Sequence, residues 1–350
     1  MDKRIKIGTK TVGDGAYIIA EMSGNHNGSL ERALAIVDAA KAAGADAIKI
    51  QTYTADTITL KCDNEYFRTQ DGSLWEGRTL YDVYDEAHTP WEWHQAIFDH
   101  AAKIGIDCFS TPFDLTAVDF LENLSAPAYK IASYEIADIP LIRKAAGTHK
   151  PVIISTGIAT LSEIDRAVTV CREEGNDDII LLKCTSAYPA PYSDMNLRMI
   201  GSMAETFGCI TGLSDHSMGP EVAVAAVALG AKVIEKHLTL DRADGGVDSG
   251  FSMNVDEFAE MVSQIRNVEQ ALGGVTYALT EKQKEGRRFG RSLFVCRDIK
   301  AGEKFSEKNI KSVRPAFGLA TEHYYDILGR TAAADIKAGT PLKWEHIGRE

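Results

Sequence analysis

No apolar stretch in this 350-residue chain approaches the ~20 consecutive residues that a membrane-crossing helix needs. The opening residues, MDKRIKIGTKTVGDG, lack the apolar centre of a secretory signal, so a cytoplasmic protein with no membrane partner is expected. Cysteine is sparse. The six, Cys62, Cys108, Cys171, Cys184, Cys209 and Cys296, are scattered and include no C-x-x-C pair. Several lie inside apolar runs, as reduced buried thiols do, which argues against a disulfide framework or a zinc cluster. Basic residues are outnumbered, with 38 Lys and Arg against 50 Asp and Glu and a net charge of -12. They form no cluster, so nucleic acid and anionic membrane surfaces are excluded as partners. A small anionic substrate is not excluded, because a few local lysines suffice to hold it. Missing too is a glycine-rich dinucleotide fingerprint after the first strand-like run, which weighs against an open doubly wound sheet.

What is present is an eight-fold alternation. Short apolar, β-branched runs occur at 16–21, 47–52, 107–112, 128–133, 152–157, 179–186, 210–216 and 233–239. Their composition suits strands buried on both faces. Amphipathic stretches such as 29–44 and 161–175 lie between them. Thr160 and Glu163 make a capping box, and Pro220 suits a first helical turn. Gly44, Gly105, Gly147, Gly175, Gly208 and Gly230 are placed to end helices in the left-handed conformation. The pattern predicts an α/β fold, a closed (β/α)8 TIM barrel over residues 1–272. The oversized connection at 53–89 is expected to cover the barrel mouth. Residues 273–286 read as a linker, and 287–350 as a small, mostly β module. That module echoes itself: Asp298-Ile299-Lys300-Ala301-Gly302 returns as Asp335-Ile336-Lys337-Ala338-Gly339.

Reactive groups of such barrels sit at the C-terminal strand ends. Polar residues fall there in every run: Glu21, Lys49 with Gln51, Ser110 with Thr111, Lys130 with Ser133, Ser155 with Thr156, Thr185 with Ser186, Ser214 to His216, and Glu235 to His237. Lys49 and Lys130 lie inside apolar strands, where an ammonium needs a partner. An anionic ligand flanked by Thr111, Ser133, Ser155 and Ser214 would provide one. Two alternatives stand beside it: pairing with a barrel carboxylate such as Glu21 or Glu235, and a nucleophilic Schiff-base lysine. His216 and His237 end successive strands, so they are candidate ligands for a divalent ion such as manganese or magnesium, with positions left open for substrate.

The ordered series IIAEMSGNHNGS, IKIQT, FSTPFD, YKIAS, ISTG, CTSAYPAP, GLSDHS and IEKHLT resembles the sialic acid synthases over nearly the whole chain. Residues from about 287, including VRPAFGL, resemble that family's antifreeze-like (SAF, β-clip) domain. The resemblance implies condensation of phosphoenolpyruvate with an N-acetylated amino-sugar aldehyde. It implies His216 and His237 as metal ligands, and Lys49, Thr111, Lys130, Ser133, Ser155 and Ser214 as phosphoenolpyruvate contacts. Glu21, Gln51, Tyr188 and Asp248 then face the sugar or the reacting carbons. Arg314 would reach the partner's barrel in a domain-swapped homodimer. Ser186 stands where the N-acetylneuraminate branch carries asparagine. With YDEAHTPWEWH and GTPLKWEHI, this brings the chain nearer to the pseudaminic acid branch.

Overall fold

Strands that are apolar on both faces need cover on both sides, and the eight runs meet this by closing on themselves. The computed structural model describes residues 3–69 and 75–348. A short antiparallel hairpin comes first, β1 (Ile5–Ile7) and β2 (Lys10–Val12). Eight parallel strands follow: β3 (Tyr17–Glu21), β4 (Ala47–Thr52), β5 (Asp107–Pro112), β6 (Tyr129–Ile131), β7 (Val152–Ser155), β8 (Ile179–Cys184), β9 (Ile210–Asp215) and β10 (Val233–His237). They run in sequence order, and β10 pairs with β3 to close the barrel.

Helices follow the strands. They are α1 (Leu30–Ala42), α2 (Ala55–Ile58), α3 (Leu80–Ala87), α4 (His94–Ile104), α5 (Leu115–Asn123), α6 (Ile139–Ala146), α7 (Leu161–Glu173), α8 (Met199–Phe207), α9 (Glu221–Ala228) and α10 (Val255–Leu272). Their apolar faces bury Ile36, Ile97 and Phe258 against the outward side chains Ile18, Ile48 and Ile50. The Thr160–Glu163 capping box opens α7 as expected. Five of the six helix-ending glycines adopt positive φ, whereas Gly147 has φ -64 and His149 takes the left-handed turn at φ 57.

The hairpin was not foreseen, because three-residue strands leave no periodic signal. It seals the barrel floor. Ile5, Ile7 and Val12 are buried against the inward Tyr17, Ile19, Phe109 and Val233. Gly8 makes its turn at φ 51, and a Cβ there would lie 2.4 Å from Asp107 Oδ1. Asp107 in turn accepts from the Thr9 amide at 2.9 Å. The barrel interior opens at the C-terminal end of the strands.

Residues 70–74 of the long connection lie outside the described residues. The connection contributes α2 and α3, and backbone bonds from Thr69 to Arg78 O (3.0 Å) and from Leu80 to Phe67 O (2.7 Å) brace it. No helix among the described residues is long and apolar enough to cross a membrane.

Chain contacts divide the molecule into Met1–Gly273 and Gly274–Glu350. The second unit holds α11 (Glu281–Gly286), which lies within the stretch read as linker, then β11 (Ser292–Val295), β12 (Ile310–Val313) and α12 (Tyr324–Ile327). Leu293, Ile299, Phe305, Ile310 and Leu342 form its core. The echoed pentapeptides pair with each other. Ile299 and Ile336 bridge antiparallel, Lys300 meets Asp335 at 2.6 Å and Lys337 meets Asp298 at 2.7 Å. The ion pairs are exposed and add little stability; the reciprocal geometry fixes the register.

Candidate active site

The strand ends converge on one cavity of about 400 Å³. Alternation along each strand decides which polar groups reach it. Glu21 ends β3, Lys49 and Gln51 lie on β4, Thr111 on β5, Lys130 on β6, Ser155 on β7, Ser214 on β9, and Glu235 and His237 on β10; all of them line the cavity. Ser133 and His216 follow their strands by one or two residues and line it too, as do Tyr188 and Asp248 from later loops. One residue expected at the substrate, Ser186, does not line it. Ser186 sits behind Ser133, to which its hydroxyl donates at 3.0 Å. Arg314 is exposed at the end of β12 in the second unit.

The carboxylate alternative for the lysines is realised. Lys49 Nζ lies 2.6 Å from Glu21 Oε2 and 3.7 Å from Glu235 Oε1, and donates to Thr111 Oγ1 at 3.1 Å. Burial alone would discharge Lys49, but Glu21 and Glu235 outweigh it and hold its pKa above the usual lysine value. Lys130 Nζ donates to Ser155 Oγ at 2.7 Å and to the Ile131 carbonyl at 3.1 Å, with Glu235 farther off at 3.8 Å. Its burial prevails over the attraction of Glu235, so its pKa is lowered. That direction is the one a Schiff-base lysine needs, and geometry alone leaves this alternative standing. Glu235 also accepts from Ser214 at 3.3 Å. Burial favours its protonated form, yet Lys130 and Lys49 together bring its pKa below the usual glutamate value.

Glu21 behaves differently. Burial raises its pKa, Lys49 opposes the rise and Glu235 adds to it. Gln51 donates to Glu21 Oε1 at 2.9 Å, while Oε2, though close to Lys49, receives no well-aligned hydrogen bond. The site thus contains a carboxylate that takes up a proton more readily than an ordinary glutamate.

The two histidines are neighbours, with ring centroids 5.3 Å apart. Burial depresses both pKa values, His237 the more strongly, so both rings are neutral. His216 Nδ1 lies 3.1 Å from the Thr185 carbonyl and so carries the ring proton, leaving Nε2 as a free acceptor. His237 Nδ1 is buried without a partner. Two neutral imidazoles, one anchored through its second nitrogen and one with an orphaned nitrogen, fit a divalent cation. Among the described residues no third His, Cys, Asp or Glu completes a protein-only cluster. Tyr188 packs 4.5 Å from the His216 ring and Phe251 4.9 Å from that of His237.

Sequence reasoning missed several lining groups. Phe251 ends a 3₁₀ turn, Ser249–Phe251, too short to leave a periodic signal. Ser23 donates a short hydrogen bond to Asp248 Oδ2 and sits at φ 47, in a turn with no strand signal. Glu135 lines the cavity with Oε2 unpartnered, and burial raises its pKa to about 7 against the pull of Lys130. From the long connection come Tyr53, Ile58, Thr69, Trp75, Leu80, Val83, Tyr84 and Ala87. They give the mouth an apolar wall, as a cover would.

The chain matches the NeuB family over residues 36–277 and the SAF domain over residues 290–348. It is 50% identical to a pseudaminic acid synthase of Campylobacter jejuni, covering 97% of this chain and 98% of that protein. Identity to a pseudaminic acid synthase of Helicobacter pylori is 45%, covering 95% and 98%. Among solved structures, the N-acetylneuraminic acid synthetase of Leptospira borgpetersenii, in complex with citrate, superposes with a TM-score of 0.73 at 32% identity, covering 82% of this chain and 95% of that one. A closed barrel, a C-terminal SAF domain and these likenesses along almost its whole length establish that the chain belongs to the NeuB family.

Proposed function

We propose that this chain condenses phosphoenolpyruvate with 2,4-diacetamido-2,4,6-trideoxy-L-altrose, releasing phosphate and forming a nine-carbon nonulosonic acid. The observation that carries this reading is the single cavity into which Lys49, Lys130, His216 and His237 all open. Its likeness to two pseudaminic acid synthases supports the choice of sugar. The six cysteines are free, which fits a reducing cytoplasm.

Lys49 and Lys130 hold the phosphate and carboxylate of phosphoenolpyruvate, helped by the hydroxyl donors Thr111, Ser133 and Ser155, and by Ser214 once its proton turns from Glu235 to the substrate. Gln51, Tyr188 and Asp248 orient the open-chain sugar so that its aldehyde carbon meets the methylene carbon of the enol. His216 and His237 would hold a divalent ion, manganese or magnesium, which would supply Lewis-acid polarisation of the aldehyde. Glu21, with its raised pKa, takes a proton from the water that adds to C2 as the carbon–carbon bond forms, and the aldehyde oxygen, left as an alkoxide, takes up that proton to become the new hydroxyl. Lys49 and Lys130 then stabilise the phosphate as the C2–O bond breaks, leaving the keto acid. Arg314 completes the sugar end of the partner's cavity in a domain-swapped homodimer.

A substrate panel tests the reading. With phosphoenolpyruvate and a divalent ion, phosphate release is expected with the trideoxy-altrose and at least tenfold lower kcat/KM with N-acetylmannosamine or the diacetamido-trideoxy-mannose. Pyruvate in place of phosphoenolpyruvate should give no product. A preference for N-acetylmannosamine would move the enzyme to the neighbouring branch, and turnover with pyruvate would restore the Schiff-base alternative.

A further inference from the structure

Ser133 lines the cavity, and only 6% of its surface is exposed. A serine hydroxyl has one proton to give and two lone pairs to accept with. Both lone pairs of Ser133 are taken. The Ile158 amide donates to its oxygen at 3.0 Å, and so does the Ser186 hydroxyl, also at 3.0 Å. The Ile158 amide is fixed by the backbone and can only donate. The Ser186 hydroxyl also has the Cys184 thiol 3.8 Å away, a long contact in which either group can donate, against the 3.0 Å bond that it donates to Ser133.

Gly157 makes this meeting possible. A Cβ at that position would lie 2.3 Å from Ser186 Oγ, 2.7 Å from Ser133 Oγ and 3.0 Å from Cys184 Sγ. The backbone there has no positive φ, so glycine serves here for space and not for conformation.

We propose that Ser186 is a positioning residue: with the Ile158 amide it saturates the Ser133 oxygen, so that the Ser133 proton points into the cavity as a one-way donor to an anionic oxygen of phosphoenolpyruvate. Ser186 therefore acts on the substrate through Ser133, without lining the cavity itself. Without Ser186, the Ser133 oxygen regains a free lone pair, and the hydroxyl can rotate to accept from water. The inference rests on phosphoenolpyruvate being the substrate proposed above.

The test is a double-mutant cycle on the metal-loaded enzyme, with KM for phosphoenolpyruvate, KM for the sugar and kcat measured separately. Ser186→Ala is expected to raise KM for phosphoenolpyruvate about fivefold, leaving kcat and the sugar KM within about twofold, the loss of a ground-state contact. Ser186→Thr keeps the hydroxyl and should restore most of the affinity. In a Ser133→Ala background, Ser186→Ala should add nothing, because its route to the substrate is already gone. Thermal unfolding of each variant checks that the barrel is intact. Additive effects of the two changes, or an unaltered phosphoenolpyruvate KM in a folded Ser186→Ala enzyme, would overturn the inference while the wild-type activity stands. A wild-type enzyme that never consumes phosphoenolpyruvate would overturn the functional reading and this inference with it.

Discussion

Lys49→Met should leave less than about one thousandth of wild-type turnover and cost about 3–5 kcal/mol of folding stability. Both effects come from one ammonium. Lys49 is 3% exposed and holds two buried carboxylates, Glu21 and Glu235, at 2.6 Å and 3.7 Å. Methionine fills much of the same volume but leaves Glu21 without its countercharge and Glu235 with only the longer contact to Lys130. Two buried acids then compete for protons, and the phosphate loses a cation in the step that expels it. Initial rates of phosphate release and urea unfolding monitored together separate the two losses. An enzyme that unfolds like the wild type would show that the ion pair contributes nothing net. One that keeps its rate would remove Lys49 from the chemistry.

Glu21→Gln is the second large effect, and it isolates the proton step. The substitution is isosteric, and glutamine still offers a carbonyl oxygen to the Gln51 amide, now 2.9 Å from Glu21. What disappears is the ability to take a proton. We expect kcat to fall by about 10²–10⁴ with phosphoenolpyruvate KM little changed. The pH profile supplies a second signature. Burial raises the Glu21 pKa, so the active, ionised base accumulates only as pH rises above the ordinary glutamate range. The wild-type rate should therefore fall on the acid side through that elevated pKa, and the variant should lose that limb. A variant that keeps both rate and limb would point to another base.

The barrel was legible because each strand is a short β-branched run and each helix an amphipathic one, so two periods alternate without ambiguity. Lys49 and Lys130 declared themselves by being charged within such runs. The histidine pair was legible only through adjacency of β9 and β10. What strand-end position alone does not reveal is which neighbour turns inward. Lys236 lies between Glu235 and His237 yet points outward, where Asp215 Oδ2 and the Ser217 carbonyl each accept from it at 2.7 Å. Ser110 turns away from the cavity likewise, meeting Thr52 at 2.6 Å. Ser186 fell one layer behind its expected place because Gly157 leaves a gap that its hydroxyl fills. The hairpin floor, Ser23 and Phe251 were hidden for another reason. They belong to turns and very short strands, whose positions are set by long-range packing that no local pattern records.

In the proposed reaction the cavity holds an enol phosphate whose C2–O bond is broken while Lys49 and Lys130 take up the phosphate charge. Phosphoenolpyruvate labelled with heavy oxygen in its bridging position tests this most directly, with mass spectrometry of both products. The label is expected to leave with the phosphate, and the keto oxygen of the sugar acid to come from water. Label retained in the sugar acid, with unlabelled phosphate, would contradict that cleavage.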